Sequence, residues 1–241
     1  MVTTNPVAIV TGASSGIGLG ITQALIAQNY RIVATSRTIS KSKDLQASEN
    51  LILIDGDIGK KGVAVKIAEA AISKFGRIDL LINNAGMFMS KPFTDYTEDD
   101  FSVMISTNVA SFFYMTQQVI AQMQRQKEGH VVSISTTLVD QPLAGVPASL
   151  PVLTKSAMPV MSKELAIEYA RDNIRFNTVS PGTVNTPMHA NEDHAQLNKL
   201  SPLNRLAEIS EIVDAILYLQ SAKFVTGENI RVDGGAHAGR W

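Results

Sequence analysis

The sequence has no cysteine among its 241 residues. This absence excludes disulfides, thiolate nucleophiles and the commonest structural zinc ligands. An excess of charge of one sign is also absent, because 21 basic and 22 acidic residues leave a formal net charge of -1. We therefore expect no nucleic-acid partner and no attraction to an anionic membrane surface. No metal site is expected either, because metal-ligand spacing is absent among the four histidines, His130, His189, His194 and His237.

Long hydrophobic runs are absent as well. No stretch approaches the ~18 apolar residues of a membrane span, and the first ten residues lack the basic and apolar regions of a signal peptide. We therefore expect a soluble, cytoplasmic protein with a small-molecule partner. Because 45% of the residues are hydrophobic, the chain has enough apolar material for one large core, and a single domain over residues 1–241 is predicted.

Short runs rich in Val, Ile and Leu alternate with longer amphipathic segments. The runs predict strands at residues 7–10, 32–34, 51–54, 79–82, 131–134, 174–179 and 229–232. The intervening segments predict helices at 17–28, 61–75, 98–126, 152–171 and 207–220. Strands so uniformly apolar are typical of sheets covered on both faces. The pattern predicts an α/β fold with about seven parallel strands, and residues 187–203, which lack periodicity, are expected to form a mobile loop or lid.

A glycine-rich turn follows the first predicted strand and opens the first predicted helix. It reads Thr11-Gly-Ala-Ser-Ser-Gly16-Ile-Gly18. Glycines permit a tight turn and close approach of a pyrophosphate, and the helix N-terminus attracts its negative charge. This context predicts a dinucleotide site, although a turn of this kind also occurs without a ligand.

Further motifs occur at matching places along the chain, namely Asp57-Ile58, Asn83-Asn84-Ala85-Gly86, Asn108, Lys155, Pro181-Gly182-Thr183 and Val232-Asp233-Gly234-Gly235. With the glycine-rich turn, they make almost the whole chain resemble the short-chain dehydrogenase/reductase family. The resemblance implies a Rossmann-type, doubly wound parallel sheet with helices on both faces. It also implies a set of cofactor-binding residues: Gly12, Ser14, Ser15, Gly16, Ile17, Gly18, Ser36, Arg37, Asp57, Ile58, Asn84, Ala85, Gly86, Lys155, Pro181, Gly182, Val184 and Thr186.

The end of the second predicted strand, Thr35-Ser36-Arg37, bears on which dinucleotide binds. A carboxylate there would accept a hydrogen bond from the ribose of NAD and repel a 2'-phosphate. Arg37 instead offers a charged planar fork that suits a phosphate, so NADP(H) is favoured over NAD(H). Against this, Ser15 stands where NADP-preferring members often carry a second basic residue, and Arg37 also fits an ordinary solvated charge.

The catalytic set that the family would supply is incomplete. Its Tyr lies four residues before the Lys, and counting back from Lys155 reaches Pro151, which has no proton to transfer. The family's Ser position aligns best with Thr136, with Ser135 as the alternative if the strand register slips. Asn108, which in the family bends its helix and holds a water leading to the Lys, is present.

Two functions remain open. One is an NADP(H)-dependent oxidoreductase that moves a hydride to or from a carbonyl or secondary alcohol, its proton coming from water near Lys155, from Tyr96 or Tyr114, or from the substrate. The other is a weakened or inactive NADP(H)-binding relative that uses the dinucleotide as a structural or sensing ligand, or an engineered variant without the Tyr. The resemblance also implies a homodimer or homotetramer through the predicted helices at 98–126 and 152–171, whose apolar residues Phe112, Phe113, Met115 and Met161 are either contacts or core.

Overall fold

The computed structural model describes residues 5–239, so residues 1–4 and 240–241 of the predicted domain lie outside the described residues. Its centre is one sheet of seven parallel strands in the order β3-β2-β1-β4-β5-β6-β7. The strands are β1 (Val7–Thr11), β2 (Arg31–Ser36), β3 (Leu51–Asp55), β4 (Leu80–Asn83), β5 (Gly129–Ile134), β6 (Ile174–Pro181) and β7 (Asn229–Val232). The predicted fold class is confirmed.

Helices cover both faces of the sheet. They are α1 (Gly16–Ala27), α2 (Lys61–Phe75), α3 (Glu98–Met104), α4 (Ser111–Gln126), α5 (Ser149–Lys155), α6 (Ala157–Glu168), α7 (His194–Asn198) and α8 (Ile209–Ser221). Buried residues of α2, α4 and α6 form one core layer, and those of α1 and α8 form the other. Within residues 5–239, no helix is long and apolar enough to span a membrane.

The alternation of side chains along β1 explains why both layers form. Val7 and Ile9 point into the layer with α2, whereas Ala8 and Val10 point into the layer with α1. Because successive strand side chains face opposite sides, a central strand covered twice must be apolar at every position. All four of these residues are fully buried, which is why β1 reads as an unbroken apolar run.

Three predicted elements need correction. The strand predicted at 79–82 runs from Leu80 to Asn83, because the Asp79 carboxylate turns back to accept a hydrogen bond from the Val7 amide at 2.7 Å. The helix predicted at 98–126 is interrupted by a π-helical segment, Ile105–Ala110. The helix predicted at 152–171 begins earlier, at Ser149, and consists of α5 and α6 on either side of Ser156.

Of the apolar residues expected at an oligomer contact, Phe112 and Met115 are core residues, 5% and 0% exposed. Met161 is partly buried against the same core. Phe113 is 52% exposed. Exposed apolar side chains also occur on α6, at Val160 and Ile167.

Candidate active site

The direction of chain progression reverses beside β1, whose neighbours are β2 and β4. In open parallel sheets such a switch point leaves a crevice outside the carboxyl ends of the strands, where ligands bind. The glycine-rich turn after β1 and the Asn84-Ala85-Gly86 segment after β4 form the two sides of this crevice. A cavity of about 830 Å³ opens there.

Thr11, at the end of β1, joins the two sides. Its hydroxyl donates to the Ile82 carbonyl at 3.2 Å and accepts from the Asn84 and Ala85 amides, each at 3.0 Å. The Asn84 side chain donates in return to the carbonyls of Thr11 and Gly12. Asn84 is therefore held by its own hydrogen bonds, and the backbone rather than its amide faces the cavity.

The glycine-rich turn leaves no room for side chains at two positions. Gly12 has a φ of +65°, and a Cβ there would lie 2.9 Å from the Ala85 Cα. A Cβ at Gly18 would overlap the Gly12 carbonyl oxygen. Gly16 opens α1, whose first amides have no intrahelical partner and face the cavity. The turn thus has the shape and the donors of a phosphate cradle.

All but one of the predicted cofactor-binding residues line this cavity: Gly12, Ser14, Ser15, Gly16, Ile17, Ser36, Arg37, Asp57, Ile58, Asn84, Ala85, Gly86, Lys155, Pro181, Gly182, Val184 and Thr186. The exception, Gly18, lies behind the turn and makes room for it. The predicted set therefore converges on one cleft, although it is drawn from six separate segments of the chain.

The far end of the cavity, at the end of β2, carries an unsatisfied group. The Ser36 hydroxyl is the one buried side-chain polar atom without a hydrogen-bond partner among residues 5–239. Beside it Arg37 is exposed and makes no ion pair within that range. The nearest strand-end carboxylate, Asp55, accepts hydrogen bonds from Ser40, which lowers its pKa and holds it away from the cavity lining. An orphaned hydroxyl beside a free guanidinium fits a ribose phosphate.

Lys155 stands at the opposite end of the cavity. Its ammonium lies 3.7 Å from where a Cβ of Gly86 would be, and 3.5 Å from the Ser135 carbonyl. Burial disfavours the charged form and lowers the pKa of Lys155 to about 8. A lysine that changes charge near neutral pH is suited to proton transfer.

Pro159 explains the break between α5 and α6. Without an amide hydrogen it cannot bond to the carbonyl of Lys155, four residues earlier. The Ser135 hydroxyl takes that place and donates to the Lys155 carbonyl at 2.9 Å. Ser135 lines the cavity, but its proton is directed at the helix backbone. Thr136, the other predicted hydroxyl, also lines the cavity, and no described hydrogen bond joins its hydroxyl to α5.

Asn108 lies within the π-helical segment and is fully buried. Its side chain accepts from the Met87 amide at 2.8 Å and donates to the Met87 carbonyl at 3.1 Å and the Thr154 hydroxyl at 2.9 Å. Asn108 therefore touches neither the cavity nor Lys155, and instead ties the segment after Gly86 to α5. Sequence reasoning missed Thr154, which looks like an ordinary helix residue.

The short turn after β5, Thr137–Val139, positions Thr136. The Thr137 hydroxyl donates to the buried carboxylate of Asp233, which also accepts from the Gly235 amide at 3.0 Å. These hydrogen bonds hold the pKa of Asp233 below its usual range against the effect of burial. The Val232-Asp233-Gly234-Gly235 motif thus fixes the turn that carries Thr136.

Pro151 is buried in the first turn of α5 and does not line the cavity. None of the five tyrosines lines it either, all of them lying within residues 5–239. The two tyrosines named as possible donors are engaged elsewhere: the Tyr96 hydroxyl donates to the Met89 carbonyl at 2.6 Å, and Tyr114 packs against the core. The described residues therefore place no phenol in the cavity.

Sequence reasoning also missed most of the wall beyond Lys155. It is largely apolar and includes Met87, Phe88, Leu143, Val146, Leu197 and Leu200. The last two come from the predicted lid, which contains α7 and the short turn Pro187–His189. Nothing in the irregular pattern of residues 187–203 indicates which side chains turn inward.

Comparison with known proteins agrees with this geometry. A family model described as Enoyl-(Acyl carrier protein) reductase matches residues 12–237. The chain is 32% identical to a 3-oxoacyl-[acyl-carrier-protein] reductase, FabG, of Buchnera aphidicola, over 98% of this chain and 99% of that one.

Solved structures of similar proteins contain dinucleotides. ElxO with NADP bound superposes with a TM-score of 0.90 at 26% identity, covering 98% of this chain and 100% of that one. A tyrosine-to-phenylalanine variant of ElxO has NADPH bound. A 3-ketoacyl-(acyl-carrier-protein) reductase from Brucella melitensis, complexed with NADH, has a TM-score of 0.89 at 25% identity, covering 96% and 98%. The chain belongs to the short-chain dehydrogenase/reductase family of oxidoreductases.

Proposed function

We propose that this chain is an NADP(H)-dependent oxidoreductase that reduces a ketone or aldehyde or oxidises a secondary alcohol. The observation that carries the proposal is the cavity itself, which has a phosphate cradle in the middle, Ser36 and Arg37 at one end, and Lys155 with Thr136 at the other. The related FabG and Brucella proteins are named as reductases of 3-oxoacyl or 3-ketoacyl groups, which are ketones.

Bound NADPH would supply a hydride to the carbonyl carbon. The α1 N-terminus would hold the pyrophosphate, and Lys155 would hold the ribose that leads to the nicotinamide. Thr136 would donate a hydrogen bond to the substrate oxygen and orient it. Asn108 would act indirectly, by fixing the Met87 backbone and α5 on either side of Lys155.

The preference for NADP(H) rests on the end of β2. Among residues 5–239 Arg37 forms no ion pair with a carboxylate, and the unpartnered Ser36 hydroxyl would accept or donate a hydrogen bond at the same phosphate. The related structures contain NADP, NADPH or NADH, so the fold accepts either dinucleotide and the choice depends on these few residues.

A second function is favoured by the buried Pro151. We propose that it occupies the position of the family's catalytic Tyr, so that the protein binds the dinucleotide but turns over slowly or not at all. The ElxO variant in which one tyrosine became phenylalanine has NADPH bound, so that related protein binds the dinucleotide without that phenol.

One experiment separates the two functions. NADPH binding is measured by its fluorescence, and NADPH consumption is measured in parallel with a panel of ketones and aldehydes. Binding with turnover supports the reductase, and binding without turnover on any carbonyl supports the weakened relative. Failure to bind either dinucleotide would overturn both.

We also propose association into a homodimer or homotetramer through α4 and α6. Phe113, Val160 and Ile167 are between 52% and 81% exposed on these two helices. Apolar side chains of this size on adjacent helices are typical of an interface between subunits.

A further inference from the structure

Carbonyl reduction needs a proton as well as a hydride, and no tyrosine among the described residues lines the cavity. Apart from Arg37 and Asp57, the titratable side chains that line it are Lys155, His189 and Glu192. We propose that His189, held by Glu192, is the general acid that protonates the substrate oxygen. This inference rests on the proposed reductase function.

The His189 ring is fixed on one side and free on the other. Its Nδ1 lies 2.9 Å from the Glu192 Oε1, and its side chain is only 18% exposed. No described protein group bonds to its Nε2, whereas its backbone carbonyl accepts from the His194 ring at 3.2 Å. A carboxylate that orients one nitrogen of an imidazole leaves the other to exchange a proton with a ligand.

The turn that carries His189 is anchored beside the cofactor site. Thr186, one residue before the turn, lies 3.5 Å from where a Cβ of Gly16 would be, so it touches the glycine-rich turn. The base of the lid is closed by two hydrogen bonds, from the Asn185 amide to the Ala207 carbonyl at 2.8 Å and from the Ala207 amide to the Thr183 carbonyl at 3.0 Å. These contacts fix the start of the Pro187–His189 turn against the phosphate cradle.

A bound reduced dinucleotide would supply the hydride to the carbonyl carbon as the carbonyl π bond opens. The bond from the His189 Nε2 to its proton would break as that proton moves to the substrate oxygen. The imidazolium would become neutral imidazole with its Nδ1–H still donating to Glu192, and it would regain a proton from solvent. The products would be the alcohol and the oxidised dinucleotide, with no further reactant needed.

The apolar wall indicates the substrate class. Met87, Phe88, Leu143, Val146, Leu197 and Leu200 line the same cavity as Lys155 and His189. A neutral ketone or aldehyde with an apolar chain fits such a wall, because a second charged group would be buried without a partner. Medium-chain methyl ketones and aldehydes are therefore the probes of choice.

The test compares His189→Asn with Lys199→Ala, a lid residue that does not line the cavity and whose ammonium donates to the Gln196 side chain. We expect His189→Asn to lower kcat by ~10²- to 10⁴-fold with NADPH affinity unchanged, and Lys199→Ala to leave kcat within about twofold. His189→Ala should regain activity when imidazole is added. Equal kcat for His189→Asn and Lys199→Ala would overturn the inference but not the reductase function, whereas NADPH binding without turnover in the unmodified protein would overturn both.

Nuclear magnetic resonance of the side-chain nitrogens gives a readout that does not depend on activity. The signal that is lost in His189→Asn should show an Nδ1–H that donates a hydrogen bond, and Glu192→Gln should weaken that bond and move the Nδ1 signal. Unchanged His189 nitrogen signals in Glu192→Gln would contradict the proposed pair.

Discussion

Replacing Pro151 by Tyr tests whether binding and proton transfer are separate in this protein. Pro151 is the third residue of α5, where backbone amides have no intrahelical partner, so a new N–H breaks no hydrogen bond. It lies four residues before Lys155, and residues so spaced share one face of a helix. The new phenol therefore starts on the side of α5 that carries the ammonium.

Two effects decide the outcome. A positioned acid contributes ~10² to 10⁴ in rate, equivalent to about 3 to 5 kcal/mol off the barrier. Against this, Pro151 is buried, so a larger ring that stays there overpacks the core by about 1 to 3 kcal/mol. The second cost lowers the stability of the fold. It does not raise the barrier when the ring turns inward, since Lys155 lines a cavity of about 830 Å³.

The assay is kcat for NADPH-dependent ketone reduction, with NADPH affinity and thermal stability measured on the same samples. We expect Pro151→Tyr to raise kcat up to the stated range, to lower the melting temperature by several degrees, and to leave NADPH affinity nearly unchanged. Adding Lys155→Ala should remove the gain. A folded variant with no gain in kcat, from a parent whose turnover is already ~1 to 10³ per second, would refute the missing-acid argument.

Three other predictions concern separate parts of the molecule. Arg37→Asp should reverse a preference for NADPH over NADH of about tenfold or more, and equal dissociation constants in the unmodified protein would contradict the assignment. Burial and the neighbouring Arg175 lower the pKa of His130 from 6.5 to about 3, so the unfolded chain binds a proton first as pH falls. The free energy of unfolding should therefore fall by about 2 kcal/mol between pH 7 and pH 5 because of His130. Urea unfolding of His130→Gln should lack this dependence of stability on pH. Ser135→Ala should destabilise the protein by about 1 to 3 kcal/mol, since it leaves the Lys155 carbonyl without its donor, and adding Pro159→Ala should restore part of the loss in the same unfolding assay.

The sheet could be predicted because its physical signal is local. A central parallel strand is covered on both faces, so it appears as a short apolar run, and β1 and β6 were both found in this way. The glycine-rich turn could also be predicted from the sequence. At Gly12 and Gly18 a side chain would overlap the backbone of the turn or of the neighbouring segment, so these positions require glycine. In both cases the constraint falls on the residue itself.

The interior of the site could not be predicted, because its constraints join distant segments. The break after Lys155 depends on a hydroxyl from Ser135, 20 residues away, which replaces a helix hydrogen bond that Pro159 cannot make. Thr154 matters only because the π-helical segment turns Asn108 toward it. Neither partner is visible in the local pattern.

Pro151 and Pro159 both lie in the region of α5 and α6, and neither displaces the residues that line the cavity. Pro159 leaves a carbonyl that Ser135 satisfies, and Pro151 occupies a helical position that needs no amide hydrogen, so α5 keeps its place and with it Lys155. The phosphate cradle belongs to other segments, and Thr11 and Asn84 tie it to the segment after β4 rather than to α5. Changes in α5 are therefore expected to leave the cradle in place. A proton donor on the lid, whose base bonds to the segment after β6 through Asn185 and Ala207, is compatible with such a division.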